Sequence, residues 1–316
     1  MPRRELPGRI DGNSPAFWYQ GEFRLFSSTG NPEILNRARD QFGPWQSEVV
    51  DLTFHEHIPV WVESAWLDAD GTLWVWYHHE PASVCGEGST LTTAEIGAAV
   101  SYDGGKTLQD LGIVLKAGGA PDCDAKNGFF ASGHGDFSVV PDRANGYFYF
   151  VFTNYGGPIE EQGIVVARMA FEDRFAPMGA VWKYYGGEWS EPGVGGHTSA
   201  IYRARVAWGE ANADSFWGPA IHWNTYLGKY VVLLNHACCE PEWPQEGIYI
   251  SYISDLSRPD QWGEPTKLID RSHIPDRPGF YPQVLGLEEG ETDSVSGWYA
   301  RLYLQGISDW EIIFSP

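Results

Sequence analysis

The sequence predicts an all-β fold, a single five-bladed β-propeller over residues 1–316, and three observations favour this class. No stretch sustains the apolar spacing of a helix, and short alternating runs between Gly, Asp, Asn and Pro take its place. Aromatic residues make up 15% of the chain, a share that suits the pleated surface of strands. A polar turn followed by an aromatic-rich strand also recurs along the chain, as in repeat architectures.

The recurring unit is a hairpin with a glycine in its turn, where a tight turn needs a positive φ. Its copies centre on Gly21, Gly71, Gly146, Gly228 and Gly297. Successive copies lie roughly 50–80 residues apart, which is enough for a four-stranded blade with its loops. A β-sandwich would not need similar hairpins at this spacing, and a β-helix would show shorter and stricter repeats.

Further strands are predicted after the central hairpins, where they would complete the blades. They cover residues 96–101 with 113–115, 163–168 with 181–185, and 247–252 with 266–269. The last strand, residues 310–314, is expected to pair near the N-terminal blade. Such a closure would protect a sheet edge that is otherwise exposed.

Charge and hydropathy exclude some partners. The net charge of −21 argues against nucleic acid, because an acidic chain repels phosphate backbones. No run approaches the ~18 apolar residues of a membrane span, and residues 1–9 carry no apolar signal region. We therefore expect no membrane contact and a cytoplasmic location, or secretion if a signal has been removed.

The four cysteines show neither a CxxC pair nor a zinc-site spacing. Cys238 and Cys239 are adjacent and cannot easily bridge each other, whereas a bridge between Cys85 and Cys123 is left open. We expect mostly free thiols, in keeping with the cytoplasmic expectation.

Several stretches together resemble the five-bladed β-propeller glycoside hydrolases, the arabinanase and β-xylosidase family 43 superfamily and its relatives. They are residues 11–15, 133–140, 216–222 and 254–262. The likeness extends over most of the chain. It implies a propeller that hydrolyses an oligosaccharide or glycoside from a plant or microbial glycan, with carboxyl groups as acid and base in a central pocket.

The chain departs from this family at one position of its motif. Trp217 stands where the family carries the general acid of a Glu-Gly-Pro strand. Some relatives, such as anhydrogalactosidases, use a histidine as acid, so the resemblance makes His222 or His236 a candidate for that role.

A second motif, residues 101–108, matches the Asp-box of sialidase-type propellers except that Leu108 replaces Trp. We expect a structural role, because Asp103 would bond to the backbone of its own turn.

The strand before each repeated hairpin should line the central tunnel and supply the catalytic groups. Asp136 is the firmest candidate because neighbouring glycines allow close approach. Glu63 lies in an apolar strand, where burial would raise its pKa and suit a general acid. Asp11 resembles the family's base position, and His222 would come from blade four. The structural alternatives are turn capping for the aspartates and a buried ion pair for Glu63.

A further set of residues is expected to bind the sugar: Trp217, His79, His134, Glu246, Arg168, Tyr281 and Gln283. Trp217 offers a stacking face, whereas Arg168 and Glu246 have structural ion pairs as an alternative role. Neighbouring His78 and His79 should point to opposite faces of their strand, so at most one faces inward. No metal ligands and no cofactor are predicted, although a central calcium or other divalent ion is left open.

Two other functions remain open at this point. A non-catalytic carbohydrate-binding propeller is favoured by Trp217 at the acid position. A propeller that binds another protein would instead show an exposed apolar patch.

Overall fold

Alternating apolar side chains and tight turns fold the chain into antiparallel sheets that follow one another in sequence. The computed structural model describes residues 2–274 and 276–315. Within these residues the helical elements are short 3-10 turns at Ile159–Glu161, Phe171–Phe175, Pro259–Gln261 and Arg271–His273. In the same ranges, no helix is long and apolar enough to cross a membrane.

Blades one and two are built from consecutive strands. Blade one, which follows a short strand β1 (Arg4–Glu5), contains β2 (Ala16–Tyr19), β3 (Glu22–Phe26), β4 (Ile34–Ala38) and β5 (Gln46–Val49). Blade two, which follows β6 (Asp51–Leu52), contains β7 (Val60–Leu67), β8 (Leu73–His79), β9 (Thr92–Ser101) and β10 (Thr107–Ala117). The first strand of each blade is its inner strand.

Blade three is the most elaborate. It contains β11 (Phe130–Asp142), β12 (Tyr147–Asn154), β13 (Gly163–Ala170), β14 (Trp182–Tyr185) and β15 (Glu188–Pro192), followed by the short strands β16 (Val194–Gly195) and β17 (Tyr202–Arg203). Strand β11 also pairs in parallel with β9, and β16 pairs in parallel with β10. These pairings join blade three to blade two.

Blades four and five complete the fold. Blade four contains β18 (Ser215–Asn224), β19 (Lys229–Ala237), β20 (Gln245–Ile253) and β21 (Thr266–Asp270); blade five contains β22 (Pro282–Gly286), β24 (Tyr299–Leu304) and β25 (Ile307–Ile313), while β23 (Val295–Ser296) pairs with β18. The N-terminal strand β1 pairs with β25 as the outer strand of blade five. The last strand, which was expected to pair near the N-terminal blade, thus lies within blade five and pairs there with an N-terminal strand.

Apolar clusters fill the space between neighbouring blades of the described chain. Phe26 and Val75 belong to the cluster between blades one and two, and similar clusters lie between blades two and three, three and four, and four and five. A further cluster packs Phe23 of blade one against Tyr303 of blade five. Because the last blade packs on the first, the sheets form a closed ring, and the five-bladed propeller is confirmed.

The predicted hairpin turns are confirmed for the first four blades and wrong for the fifth. Gly297 lies in the long connection between β22 and β24. The tight turn of blade five lies at Gly306, between β24 and β25, with a φ of 74°. The aromatic run after Gly297 is the second strand of the blade, preceded by β23 rather than by a hairpin turn.

The expectation of free thiols is wrong. Cys85 and Cys123 form a disulfide with a Cα–Cα distance of 5.4 Å, within the usual range. Cys238 and Cys239 are also bonded to each other. The sequence could not show the first bridge because its two loops meet only after β8 and β10 have paired through β9.

The Asp-box has the structural role expected of it. The Asp103 carboxylate accepts hydrogen bonds from the backbone N–H groups of Lys106 and Thr107, both at 3.0 Å. Ser101 Oγ accepts a further one from Gly105 N at 2.8 Å. The motif closes the turn between β9 and β10.

Replacing Gly306 by Ala should destabilise the protein more than the same change at Gly228. Both turn glycines have a positive φ, so both changes add a backbone cost of about 1 kcal/mol. A Cβ at Gly306 would also lie 2.5 Å from Ile10, whereas one at Gly228 meets nothing within 4 Å. We expect an additional loss of roughly 1–2 kcal/mol for Gly306→Ala in urea unfolding. Equal losses of unfolding free energy in the two variants would show that packing of Ile10 against the Gly306 turn does not stabilise the contact between blade one and blade five.

Candidate functional site

Two carboxylates and one imidazole converge in the interior of the propeller. Glu63 lies on β7, His78 on β8 and Asp136 on β11, and each is at most 5% exposed. One ligand atom from each residue lies within 4.8 Å of the others. The structure therefore brings together the two acidic residues that the sequence singled out, although 73 positions separate them.

Irregularities in the inner strands turn both carboxylates toward each other. The pairing of β7 with β8 shifts register between Val62 and Ser64, at Glu63. The pairing of β11 with β12 shifts between Gly135 and Phe137, and Asp136 there has a φ of 42°. A β-bulge bends a strand and re-aims a side chain, so these shifts build the site.

Glu63 is held from two sides. Its Oε2 accepts a hydrogen bond from Phe137 N at 2.8 Å, and its Oε1 lies 3.4 Å from His78 Nδ1. Burial raises the pKa of Glu63, and the contact with His78 partly opposes this rise. The glycine at position 12 allows the N-terminal loop to approach, because a Cβ there would lie 3.1 Å from Glu63 Oε1.

Asp136 holds a proton more firmly than an ordinary aspartate. Burial and the neighbouring charge of Glu63 raise its pKa to about 7. The hydroxyl of Tyr155 donates a hydrogen bond to Asp136 Oδ2. The carboxyl is thus held in place and can donate or accept a proton near neutral pH.

His78 carries the positive charge of the cluster. Burial alone would lower its pKa, but its contact with Glu63 and the charge of Glu80 raise the pKa to about 9. Its Nε2 lies 3.4 Å from Glu80 Oε1. The imidazole is therefore protonated at neutral pH and forms an ion pair with Glu63.

Asp11, Glu80 and Tyr281 surround this centre on its more open side. The side chain of Asp11 is 37% exposed and lies 3.3 Å from Arg9. Burial raises the pKa of Asp11. Burial, followed by the charges of Asp136 and Asp11, raises the pKa of Tyr281 well above its usual range.

An aromatic cluster packs beside Tyr281. Its members include Phe130, Tyr155, Trp208, Trp217 and Trp243. The ring of Trp217 meets Tyr281 edge-on with centroids 5.5 Å apart, and only 4% of the residue is exposed. Trp217 therefore helps to position Tyr281, and its buried ring leaves little face for a sugar.

Three of the predicted histidines lie away from the carboxylates. His222 packs against Phe314 with ring centroids 5.6 Å apart, and burial alone lowers its pKa to about 3. His134 Nε2 lies 3.0 Å from Lys183 Nζ. His79 Nδ1 lies 3.0 Å from Pro59 O, so His78, and not His79, faces the acidic centre.

The remaining predicted residues have structural partners. Arg168 lies between the rings of Tyr147 and Trp189, at 4.4 and 4.7 Å. Glu246 forms an ion pair with Lys267, and its Oε2 lies 3.1 Å from His236 Nδ1.

Gln283 links blade five to the N-terminal loop. Its Oε1 accepts from Ser14 N at 2.7 Å, and its Nε2 donates to Ser14 O at 3.0 Å. Both ends of the amide are therefore occupied by the backbone of one residue.

His78, Glu80 and Tyr155 are not among the site residues predicted from the sequence. The run His78-His79-Glu80 was a visible signal, but the phase of the pleat decides which side chain faces inward. Tyr155 carries no signal of its own, since it follows β12 in an aromatic-rich stretch.

The donor set also fits a divalent cation. Carboxylate oxygens and an imidazole nitrogen are common ligands. Among the described residues, Glu63 Oε1 and His78 Nε2 make no hydrogen bond. Glu63, His78 and Asp136 would hold such an ion in place of the proton of His78, and its charge would favour ionised carboxylates.

No protein-family model and no curated protein matches the chain. Several solved structures do match it. The α-L-arabinanase of Cellvibrio cellulosa in complex with arabinohexaose gives a TM-score of 0.56 at 13% identity, with 97% of this chain and 96% of that chain covered. A thermostable family-43 glycoside hydrolase gives a TM-score of 0.57 at 12% identity, with 99% of this chain and 96% of that chain covered. The chain has the fold of these five-bladed propellers.

An exo-β-1,3-galactanase of Phanerochaete chrysosporium, solved with β-1,3-galactotriose, gives a TM-score of 0.55 at 11% identity. The match covers all of this chain and 65% of that chain. These similarities establish the fold, and the chemistry has to be argued from this chain's own residues.

Replacing Glu63 by Gln should lower the pKa of His78. Burial opposes the imidazolium, and the contact with Glu63 is the largest influence that favours it. In histidine-selective NMR titrations, His78 should titrate near pH 9 in the wild type and at clearly lower pH in Glu63→Gln.

The same pair makes stability depend on pH. The pKa of His78 is raised on folding, so its contribution is fully present below pH 6.5 and is lost as the pH rises through about 9. This loss should be smaller in Glu63→Gln. An unchanged titration of His78 in the variant would show that Glu63 does not stabilise the imidazolium.

Proposed function

We propose that this protein is a glycoside hydrolase-like enzyme that cleaves a neutral plant or microbial glycan at the Glu63–His78–Asp136 centre. The observation that carries the proposal is the meeting of two buried carboxyl groups on the inner strands of blades two and three. Glycoside hydrolysis needs a carboxyl group that holds a proton near neutral pH, and the charge of buried Glu63 helps Asp136 to hold one.

Asp136 is the proposed general acid. Its pKa of about 7 leaves it substantially protonated at neutral pH, as protonation of a leaving oxygen requires. The negative charge of Glu63 contributes to that pKa, and the hydroxyl of Tyr155 fixes the carboxyl. Glu63 thus acts on Asp136 as a positioning and charge-setting residue rather than as the acid.

Asp11 is the proposed base. It is the more exposed of the acidic residues near the centre; burial raises its pKa, and the contact with Arg9 opposes that rise. An ionised carboxylate at the open side can activate a water molecule. This assignment gives the acid and the base to blades three and one, and leaves blade four without a catalytic group.

A non-catalytic carbohydrate-binding propeller is the second candidate. The observation that favours it is Trp217, which fills the place of the family's acid with a buried ring. The same carboxylates would then accept hydrogen bonds from sugar hydroxyls without turnover.

The disulfide between Cys85 and Cys123 supports an oxidising compartment for this protein. This differs from the cytoplasmic location that the sequence led us to expect. We propose that the protein works outside the cytoplasm, where glycans of plant or microbial walls are found.

Asp136→Asn should reduce the rate of hydrolysis by about 10²–10⁴-fold, because the amide cannot protonate the glycosidic oxygen as its bond to the anomeric carbon breaks. Glu63→Gln should shift the basic limb of the pH–rate profile to lower pH, because it removes a charge that raises the pKa of Asp136. Sugar release from β-1,3-galactotriose, arabinohexaose and a panel of neutral glycans measures both effects.

Asp260→Asn is the matched control, since Asp260 is exposed on blade four. It should leave the rate unchanged, and thermal unfolding should show that all variants are folded. Full activity of Asp136→Asn on the best substrate would contradict the assignment of the acid. Wild-type protein that binds a glycan and never releases product would favour the binding function instead.

A further inference from the structure

A cavity of about 810 Å³ lies at the opposite end of the propeller axis from the acidic centre. It is lined by the ends of inner strands and by the loop before β24, with each blade represented. The lining includes Phe17, Trp18, Leu67, Trp66, Val140, Trp223, Tyr230 and Val295. Leu67 and Val140 each lie four residues beyond Glu63 and Asp136 on their strands, a distance of about 13 Å.

A polar layer separates this cavity from the acidic centre. Asn13 Nδ2 donates to the carbonyl oxygens of Phe137 and Pro219, at 2.7 and 3.0 Å. Next to Asn13, the backbone N–H of Ser14 donates a hydrogen bond to Gln283 Oε1. Because these side chains bridge blades one, three, four and five across the axis, the cavity is a separate compartment.

The walls offer aromatic faces rather than unpaired charges. Trp18, Trp66 and Trp223 are each half-buried, so part of each indole remains accessible. The Asp142 carboxylate is occupied by Ala144 N and by Asn145.

The other polar groups of the cavity wall either make hydrogen bonds within the protein or lie at the edge of the cavity. Asp255 accepts hydrogen bonds from the backbone N–H and the hydroxyl of Ser257, and Thr292 is paired with Ser294. The exposed residues Arg143 and Ser254 remain at the edge of the cavity.

We infer that this cavity is a second binding site, for a neutral saccharide. A sugar ring has an apolar C–H face that packs on an indole and a rim of hydroxyls that the edge residues can bind. The volume is in the range of small-ligand sites. The net charge of −21 disfavours an anionic ligand, and the carboxylates of the wall already accept hydrogen bonds from their own turns. The site would hold glycan without cleaving it.

The test uses full-length Asp136→Asn, so that turnover cannot obscure binding, with β-1,3-galactotriose and arabinohexaose as probes. Indole N–H signals in ¹H–¹⁵N NMR report the two compartments separately. We expect saturable shifts at Trp18, Trp66 and Trp223. These shifts should occur whether or not the wild type proves to be a hydrolase, so the two proposals fail independently.

Two variants and one control sharpen the result. Trp223→Ala should weaken binding about tenfold, because it removes one stacking face. Ser254→Trp should block the edge of the cavity without removing a core side chain, which keeps the test valid if Trp223→Ala does not fold. Tyr226→Ala removes an exposed aromatic ring from the neighbouring β18–β19 turn and should change nothing.

Several outcomes would overturn the inference. Shifts confined to Trp217 and Trp243 would place all saccharide binding at the acidic centre. Shifts at Trp18, Trp66 and Trp223 with the apolar probe toluene, and with neither saccharide, would make the cavity an apolar site. Binding that survives Ser254→Trp unchanged would place the ligand elsewhere.

Discussion

The burial of three ionisable groups in one place constrains the rest of the site. A lone buried charge costs several kcal/mol, and a buried pair is tolerated only when its partners satisfy each other. Glu63 and His78 form such a pair. Burial and the charge of Glu63 keep the proton on Asp136 to a higher pH, although the charge of His78 opposes them. The ion pair and the protonated carboxyl are therefore two parts of one arrangement.

This arrangement requires inner strands from different blades to be held in fixed register. A slip of one residue in β7 would turn Glu63 away from the axis. Apolar packing between each pair of neighbouring blades resists such a slip, and the contact of Phe23 with Tyr303 extends that resistance around the whole ring. The local bulges at Glu63 and Asp136 can then aim the carboxyl groups because the strands around them cannot move.

The repeated hairpins made the fold predictable, because each turn glycine acts locally and leaves its mark in the sequence. Glu63 and Asp136 stood out for a similar reason, as charges within apolar segments. The choice between His78 and His79 depended on the phase of the pleat, which the sequence does not show. His222 was misplaced because the register of β18 against β19 shifts between Trp217 and Ala220. Residues beyond that shift face a different neighbour.

Asn13 links the two ends of the axis. Its amide holds the carbonyl oxygens of Phe137 and Pro219, which directly follow Asp136 and Gly218 in the irregular parts of β11 and β18. The same contacts close the axis and fix the backbone beside the proposed acid. A ligand of the acidic centre must therefore enter and leave on the side of Asp11 and Glu80, since the passage to the opposite cavity is occupied by a side chain that the site itself needs.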